Sequence, residues 1–527
     1  MTQGCLYRPP DLTSMSDSDP GSDSDFDSDS DPGSDTPDAY AELLTRVERL
    51  THLGDAGGIL GWDQQVTMPD GGAPARAKQQ SALSGQIHEL QTDEQVGEWL
   101  DELDDADLTD EQRAVVRETR RDYEEATRVP GDLVETITET SSAAQQVWQE
   151  AKAEDDFESF APTLAEIREL HVERAEHVDP DRDPYRVMFE GVDPDLELAT
   201  VEDVFDDLRE ALPPLIEDLE AADPDLATLP DEEWDEETEL ALDRAALEEL
   251  DYDFERGRLD TSPHPFTSGT QFDCRVTTWV KPEDPMNSLM ATIHEYGHAS
   301  YQLGLPQEHY GTPLGQSRME IHESQSRFWE NHVARTRPFW EYFVPTLNDH
   351  LGTDLTPQEA YEVVNQIYPE NLIRVEADEL TYHLHIILRS DVEKRLVRGE
   401  IDVSEVPRVW NDRMDEYLGV RPETDSEGCL QDIHWTSGFA GFQSYTVGSV
   451  LAAQLDAAMR EDLDQDVDEL VRDGEFEPLR SWMNEHVHRH GQRYPTDELI
   501  ERATGEPLTA EYFIDYAREK FGELYGV

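Results

Sequence analysis

Apolar residues recur at helical spacing along most of the chain. In the segment AYAELLTRVERL, the apolar face of an amphipathic helix is formed by residues three and four apart, namely Leu43, Leu44, Val47 and Leu50. Similar spacing returns between turn residues over 76–90, 111–126 and 143–153. Strict alternation of apolar and polar residues, which is typical of strands, is rare. The pattern predicts a mainly α protein.

The main exception lies over 257–279, where RVTTWV at 275–280 is the best candidate for a strand. The stretch TIHEYGHASY at 292–301 follows it closely. Asp284 and Pro285 suit the start of a helix there, and Gly304 suits its end. We therefore expect a small β element directly before this helix. With 527 residues and no obvious linker in its latter part, the chain is expected to form one large domain, or two lobes around a cleft.

The N-terminal segment has a different composition. Residues 16–37 repeat Ser-Asp and Asp-Pro-Gly and carry almost nothing apolar beyond Phe26. Such a segment cannot offset its ordering entropy by burial. We expect residues 1–37 to form a disordered acidic tail and residues 38–527 to form a single helical domain.

The charge of the chain restricts its partners. It has 121 acidic and 41 basic side chains, so its formal net charge is -80. Such a charge disfavours binding to nucleic acid or to an anionic membrane. We expect neither partner for this protein.

The positive charge comes almost entirely from arginine, because lysine is scarce. Excess carboxylate with little lysine keeps a protein hydrated in molar salt, so the composition is typical of a halophile. The alternative is an acidic, partly disordered protein, but 37% apolar residues and ten tryptophans suffice for a packed interior. The chain shows neither a secretory signal nor an apolar run long enough to span a membrane. We expect a cytoplasmic protein.

The stretch TIHEYGHASY contains the pattern HExxH. Residues four apart on a helix project to the same side, so His294 and His298 can bind one metal ion. Glu295 lies between them and can act as a general base toward water. The alternative is that two histidines fall on one helical face by chance. The pattern alone therefore supports a metal site without defining the reaction.

A third protein ligand is expected, because catalytic zinc sites of this type use three and leave one position open. The next helical stretch, RMEIHESQSRFWENHVART at 318–336, offers Glu320, Glu323 and Glu330. Glu323 is the best candidate because its apolar neighbours predict burial, and a buried carboxylate is costly without a cation. The alternative is a surface glutamate paired with Arg327. Zinc suits two histidines and a carboxylate, although cobalt or manganese can use the same ligands.

Several separated motifs occur in a fixed order. They are HPF at 264–266, DxRxT at 273–277, HEYGH at 294–298, HES at 322–324, IRxxAD at 373–378 and GxxQDxHW at 428–435. With these motifs the chain resembles the carboxypeptidase Taq family of zinc metallocarboxypeptidases, from about residue 39 to the C-terminus.

The resemblance implies a large helical fold with a deep central groove between two lobes. It also implies a homodimer that removes single residues from peptide C-termini with broad specificity. By motif position, the zinc ligands are His294, His298 and Glu323, and Glu295 is the base. One zinc ion per subunit is expected.

A carboxypeptidase must also bind the terminal carboxylate of its substrate. Arginine suits this role because its planar group can donate to both oxygens. Arg374 is favoured over Arg275; the alternatives are ion pairs of Arg374 with Glu376 or Asp378, and of Arg275 with Asp273. The motifs also suggest further substrate-binding residues, namely His264, Asp273, Thr277, His434 and Tyr445. Of these, His434 and Tyr445 are candidate donors to an oxyanion, and His264 is the candidate for organising a loop or a subsite.

Two other functions are consistent with the same residues. One is an endopeptidase or oligopeptidase of another helical HExxH family. The other is a catalytically inactive acidic binding protein that acts through its Ser-Asp tail. Cleavage of a peptide with a blocked C-terminus would distinguish an endopeptidase or oligopeptidase from a carboxypeptidase. Peptidase activity that is lost in chelator would distinguish a metal-dependent enzyme from an inactive binding protein.

Overall fold

The computed structural model describes residues 37–222 and 224–527. The acidic tail predicted over 1–37 therefore lies outside the described residues, except for Pro37. Within the described ranges the chain forms twenty α-helices and one sheet of three strands. This confirms the prediction of a mainly α fold with a small β element. Among these helices, none is long and apolar enough to cross a membrane.

The helices before the sheet follow the apolar spacing of the sequence. Leu43 and Val47 are buried on the first helix, and the predicted stretches 76–90, 111–126 and 143–153 lie inside the second, fourth and fifth helices. The bounds are α1 (Asp38–Val66), α2 (Ala73–Gln91), α3 (Glu94–Leu103), α4 (Asp110–Arg128), α5 (Gly131–Glu154), α6 (Phe157–Val178), α7 (Pro184–Glu190), α8 (Leu198–Ala222) and α9 (Glu236–Glu249).

The sheet contains β1 (Leu259–Thr261), β2 (Phe266–Gly269) and β3 (Cys274–Thr278). Its order is β1-β3-β2, with β1 parallel and β2 antiparallel to β3. The predicted strand RVTTWV corresponds to β3, which begins one residue earlier and ends at Thr278. Phe266 is opposite Thr277 and Thr267 is opposite Val276 in the antiparallel pair. The sheet comes directly before the helix that carries HEYGH, as expected, and it also packs against that helix.

The remaining helices carry the other motifs. The HEYGH helix begins after Asp284, whose carboxylate accepts from the Asn287 backbone N–H at 3.2 Å, and it ends at Gly304. These are the predicted limits. The bounds are α10 (Pro285–Gly304), α11 (Met319–Arg327), α12 (Arg337–Leu351), α13 (Pro357–Val364), α14 (Thr381–Val397), α15 (Val406–Leu418), α16 (Gln443–Asp462), α17 (Val467–Asp473), α18 (Glu477–His486), α19 (Thr496–Thr504) and α20 (Glu511–Tyr525).

Short helical turns connect these elements. A π-helix, Phe328–Ala334, continues α11 without a break. The 3-10 helices are Asp70–Gly72, Gln307–His309, Pro313–Gly315, Arg374–Glu376, Val403–Glu405, Cys429–Gln431, Ile433–Thr436 and His488–His490.

Among the described residues, most buried apolar side chains belong to two groups. The smaller group joins α1, α3 and α4 and includes Leu314 from a connecting turn. The larger group extends from α5 to α20 and encloses α10, α11, α14 and α16. The helices that carry the motifs therefore lie in the larger core. That residues 38–527 form a single domain stays a prediction.

Gly297 lies where α10 and α11 meet. A Cβ atom at this position would be 2.5 Å from the Gln325 carbonyl oxygen and 2.5 Å from the Ser326 Cα. Both are backbone atoms of α11, which cannot give way like a flexible side chain. The glycine in HEYGH therefore allows α11 to approach the two histidines of α10.

Gly297→Ala is expected to lower the free energy of unfolding by about 1–3 kcal/mol or more, because overpacking against backbone forces the helices apart. Gly85→Ala is the matched control: Gly85 lies in α2 with no atom within 4 Å of its Cβ position. Alanine there is expected to add about 0.5–1 kcal/mol through helix propensity. Denaturant unfolding in molar salt measures both, and equal shifts in the two variants would contradict the close approach.

Candidate metal and active site

Helices α10 and α11 bring the three predicted ligands together. The rings of His294 and His298 lie edge to face with centroids 4.9 Å apart. The Nε2 atoms of His294 and His298 are 3.9 and 3.5 Å from Glu323 Oε2. One donor atom from each residue lies within 4.8 Å of the other two. Among the described residues, these three side chains form the group of potential metal ligands whose donor atoms all lie within 4.8 Å of one another.

The donor set fits a divalent ion. Ligands at about 2.0–2.2 Å from one tetrahedral ion are about 3.3–3.6 Å apart, and the two Nε2–Oε2 separations of 3.9 and 3.5 Å are close to this range. Two imidazole nitrogens and a carboxylate oxygen are the ligands expected of a catalytic zinc site.

The two carboxylate oxygens of Glu323 have different partners. Oε2 faces the histidines, whereas Oε1 accepts from Arg327 Nε at 2.8 Å. Burial would raise the pKa of this carboxyl, but Arg327 and the histidines lower it to about 2. Glu323 is only 4% exposed, so the alternative of a surface glutamate does not describe it, although the pair with Arg327 is present.

Glycine also shapes the other side of Glu323. At Gly448 of α16, a Cβ atom would be 2.5 Å from Glu323 Cγ and 2.6 Å from Glu323 Cβ. The α16 backbone therefore packs directly on the glutamate and restricts its rotamer. The glycine-rich stretch GFAGFQSYTVG at 438–448 ends at this contact.

Glu330 lies behind His294. Its Oε2 is 2.9 Å from His294 Nδ1, which leaves Nε2 free for a metal. Arg327 and Arg335 also donate to Glu330, at 3.2 and 3.0 Å. Burial would raise the pKa of the Glu330 carboxyl, but the two arginines hold it well below its usual range. From the sequence, Glu330 was a possible ligand, and its contact with His294 was not predicted. Glu330 lies seven residues after Glu323, almost two helical turns, so the spacing could have indicated that both glutamates face the same side.

His298 has a comparable partner that the sequence did not predict. His298 Nδ1 is 2.5 Å from Nδ1 of His322, so one of the two nitrogens carries the shared proton. Burial and the neighbouring His298 hold the pKa of His322 well below its usual range. The His322 ring is therefore neutral, and it orients His298 through this hydrogen bond. The signal was its place in the HES motif, directly before Glu323.

Glu295 lies at the wall of the same site. It is 6% exposed, and the Thr267 hydroxyl lies 2.8 Å from both its Oε2 and its backbone carbonyl oxygen. Thr267 belongs to β2, so the small sheet holds this carboxylate in place. A cavity of about 230 Å³ opens beside it, lined among others by His294, Glu295, Arg327, Arg374 and Tyr382. The geometry thus places a ligand histidine, the candidate base and one candidate arginine around one space.

Arg374 lies in the 3-10 helix at the edge of this cavity. Its Nη2 atom is 3.7 Å from Asp432 Oδ1, and its guanidinium lies 5.0 Å from the centroid of the Phe442 ring. The alternative ion pair with Asp378 is not formed among the described residues, because Asp378 instead accepts backbone N–H groups of Tyr368, Leu380 and Thr381.

Arg275 lies elsewhere. It donates twice to Asp273, at 2.9 and 2.6 Å, and stacks 4.4 Å from the Trp62 ring centroid. It lines a separate cavity of about 200 Å³ beside α1 and Tyr310. The predicted alternative, an ion pair with Asp273, is therefore the arrangement in the structure.

His264 lies in the loop between β1 and β2, and Thr277 lies in β3 opposite Phe266, the residue that follows this loop. Thr277 Oγ1 accepts from the Phe266 backbone N–H at 2.9 Å and donates to its carbonyl at 3.0 Å. The Ser262 hydroxyl donates to the His264 carbonyl at 2.6 Å, and the His264 side chain is exposed. In this structure Thr277 organises the HPF segment.

His434 and Tyr445 line a neighbouring cavity of about 470 Å³. His434 Nδ1 is 2.5 Å from Asp432 Oδ1, and its ring lies 5.0 Å from that of Phe442. Tyr445 lies 6.4 Å from Tyr382, centroid to centroid, and burial raises the pKa of its hydroxyl to about 12. The contacts Arg374–Phe442 and Tyr382–Tyr445 mark where this cavity approaches the one beside Glu295.

A mainly helical fold that brings two histidines and a glutamate to one point, beside a second buried glutamate, defines the site of a metallopeptidase. The arrangement can bind a divalent ion and hold a base next to it. It can also present an arginine to an anionic group in the same cavity.

Comparisons with known proteins identify the family. The model of the family described as Carboxypeptidase Taq (M32) metallopeptidase matches residues 42–521. The chain therefore belongs to the carboxypeptidase Taq (M32) metallopeptidase family, which confirms the resemblance drawn from its motifs. It is a metallocarboxypeptidase, and its family implies a divalent metal ion.

Individual relatives match this chain over nearly its whole length. Thermostable carboxypeptidase 1 of Pyrococcus furiosus is 36% identical over 491 residues, covering 91% of this chain and 98% of that protein. The crystal structure of an M32 carboxypeptidase from Deinococcus radiodurans is similar with a TM-score of 0.88 at 37% identity, covering 93% of this chain and 100% of that one. The structure of metallocarboxypeptidase 1 of Trypanosoma cruzi is similar with a TM-score of 0.89 at 32% identity, covering 92% of this chain and 99% of that one.

Proposed function

We propose that this metallocarboxypeptidase is a zinc enzyme that releases single C-terminal amino acids from peptides, with His294, His298 and Glu323 as ligands and Glu295 as general base. The observation that carries the proposal is the convergence of His294, His298 and Glu323, together with a cavity that His294 lines along with Glu295 and Arg374. A bound zinc ion would supply a Lewis acid that polarises the peptide carbonyl and makes water more acidic.

Glu295 supports the proton transfers. Its carboxylate is buried, held by Thr267, and adjacent in sequence to a ligand histidine. It takes a proton from the attacking water and returns that proton to the nitrogen of the departing amino acid. Fixing the carboxylate through β2 removes the need to reorient it during the reaction.

Arg374 is proposed to bind the terminal carboxylate of the peptide. It lines the cavity shared by His294 and Glu295, whereas Arg275 is bonded to Asp273 in a different cavity. This difference supports Arg374, rather than Arg275, as the receptor in a substrate complex whose scissile bond lies beside Glu295. An arginine fork that matches both carboxylate oxygens selects a free C-terminus.

Other roles proposed from the sequence have weaker support. His434 and Tyr445 line the neighbouring cavity and are candidate donors to the developing oxyanion. Thr277 and Asp273 support the HPF loop and Arg275, and His264 is a candidate for contact with more distant parts of a peptide. Broad specificity, the homodimer, the cytoplasmic location and a preference for high salt stay predictions, and cobalt or manganese stay alternatives to zinc.

A pair of peptides tests the proposed function. A peptide with a free C-terminus and the same peptide with a C-terminal amide are digested in molar salt and followed by mass spectrometry. We expect a ladder of products shortened by one residue at a time from the free acid, and little cleavage of the amide because Arg374 loses its anionic partner. A chelator should abolish the ladder.

Internal fragments from both peptides would favour the helical oligopeptidase instead. Activity that persists undiminished in chelator would exclude a metal mechanism. No cleavage of either peptide by metal-loaded protein would support the inactive binding protein.

A further inference from the structure

The motifs IRVEAD and GCLQDIHW meet at Arg374. Gln431 Oε1 accepts from the Arg374 backbone N–H at 2.9 Å, and Asp432 Oδ1 lies 3.7 Å from Arg374 Nη2. Two consecutive residues therefore hold the backbone and the side chain of the same arginine. The contacts join segments that are far apart in sequence, so they fix the position of the 3-10 helix Arg374–Glu376 relative to the core.

Gln431 secures the segment that leads into Arg374. Its Nε2 donates to the carbonyl of Leu372 at 3.0 Å and to that of Glu427 at 2.8 Å. The amide of Gln431 thus bonds both the carbonyl of Leu372 and the backbone N–H of Arg374, two residues later. Loss of this side chain would free the segment to shift.

Asp432 is itself held from inside the protein. Its Oδ2 is 3.2 Å from Nε of Arg389, a fully buried residue whose guanidinium lies 3.4 Å from the Trp435 ring centroid. Arg389 also donates to Glu393 at 2.6 Å, and Glu393 accepts from the Tyr185 hydroxyl at 3.0 Å. Burial would raise the pKa of Asp432, but His434 and Arg389 hold it well below its usual range.

This chain of buried groups ends at the catalytic cavity. Oδ1 of Asp432 faces two groups at the surface of the substrate cavities, Arg374 and His434, while Oδ2 faces the buried Arg389. At 3.7 Å the Asp432 carboxylate attracts the Arg374 guanidinium without forming a full hydrogen bond, so it orients the arginine without occupying its N–H donors. The Phe442 ring 5.0 Å from the guanidinium further restricts its orientation.

We propose that Asp432 and Gln431 are positioning residues that aim Arg374 at the C-terminal carboxylate of the peptide, an inference that rests on the proposed role of Arg374. Asp432 fixes the direction of the guanidinium, and Gln431 fixes the backbone that carries it. The terminal carboxylate of the peptide then binds an arginine that is already oriented. Loss of this orientation should therefore raise KM more than it lowers kcat.

A double-mutant cycle tests the proposal with an N-blocked dipeptide that has a free C-terminal carboxylate. Arg374→Met is expected to raise KM about 100-fold, the value of a charge-assisted bond to the carboxylate. Asp432→Asn is expected to raise KM about tenfold with a smaller change in kcat, as other residues that orient a functional group do. In the double variant, KM should equal that of Arg374→Met alone, because Asp432 acts through Arg374.

The matched control is Asp456→Asn. Asp456 is also buried and accepts from an arginine, Arg460, at 2.8 Å, but it lines another cavity, so KM should not change. If Asp432→Asn does not fold, Gln431→Met carries the same test and should raise KM with no further effect in the Arg374→Met background.

Three results separate the possible failures. If Arg374→Met raises KM and Asp432→Asn does not, the positioning role is wrong and the role of Arg374 stands. If the two effects multiply, Asp432 acts independently of Arg374, which also overturns the proposal. If Arg374→Met leaves KM unchanged, the assignment of Arg374 as carboxylate receptor fails together with the inference.

Discussion

Glu295→Gln is expected to lower kcat for hydrolysis of a free-acid peptide by about 10³-fold, within the range that general acid–base catalysis contributes. Glutamine has nearly the same shape and can still accept from Thr267 Oγ1, which lies 2.8 Å from Oε2 in the native protein. It cannot take a proton from water. Because Glu295 is not among the three side chains that converge, the metal content should stay at the native level.

Two measurements are needed for this variant, kcat and metal per subunit by mass spectrometry. Glu308→Gln serves as the control, because Glu308 is an exposed glutamate in a 3-10 helix just beyond the same helix α10. Its kcat should match the native enzyme. Native kcat in Glu295→Gln would exclude this residue as the base, and a loss of metal would show that Glu295 acts on the ion site instead.

Glu323→Gln is expected to weaken metal binding by about 10³-fold, because one of three protein ligands carries about a third of a total binding free energy of about 12 kcal/mol. Activity at limiting metal should fall in parallel. Arg327 keeps a partner in Glu330 at 3.2 Å, so the variant should remain folded. Titration with zinc in the presence of a competing chelator measures the affinity directly.

Glu330→Gln is the informative comparison. Glu330 contacts His294 Nδ1 at 2.9 Å and lies behind the ligand, so its loss should cost only about 10–100-fold in affinity. A larger loss in Glu330→Gln than in Glu323→Gln would assign the third ligand to Glu330. The two variants thereby distinguish a ligand from a residue that orients one, on the same helical segment.

Local patterns predicted the elements that carry the site. The spacing of apolar residues predicted α1, α2, α4 and α5, and Asp284, Pro285 and Gly304 marked the limits of α10. These features depend on neighbouring residues, so one sequence suffices to identify them. The strands β1 and β2 were not predicted individually because they span three and four residues, too short for alternation to be recognised.

Contacts between distant segments were harder to predict. The HES motif and burial together favoured Glu323, but nothing in the local sequence showed that Arg275 and Arg374 would face different cavities. That difference depends on how β3 and the 3-10 helix Arg374–Glu376 pack against separate elements. Likewise, Thr267 reaches Glu295 and Asp432 reaches Arg374 only through the tertiary fold.

The role of Gly297 could be predicted only in part from the sequence. The sequence showed a glycine in the middle of a helix, where alanine would be more favourable by about 1 kcal/mol. It could not show which neighbour required the missing side chain. The structure identifies the backbone of α11 at Gln325 and Ser326 as that neighbour, one turn from Glu323.

An anomalous difference map recorded at the zinc absorption edge, from a crystal of the enzyme as purified, would locate the metal ion and its ligands. One peak is expected within about 2.0–2.2 Å of Nε2 of His294, Nε2 of His298 and an oxygen of Glu323, with the Glu295 carboxylate outside that distance. A peak bound by Glu330 in place of Glu323, or no peak between the two histidines, would contradict the proposed zinc site.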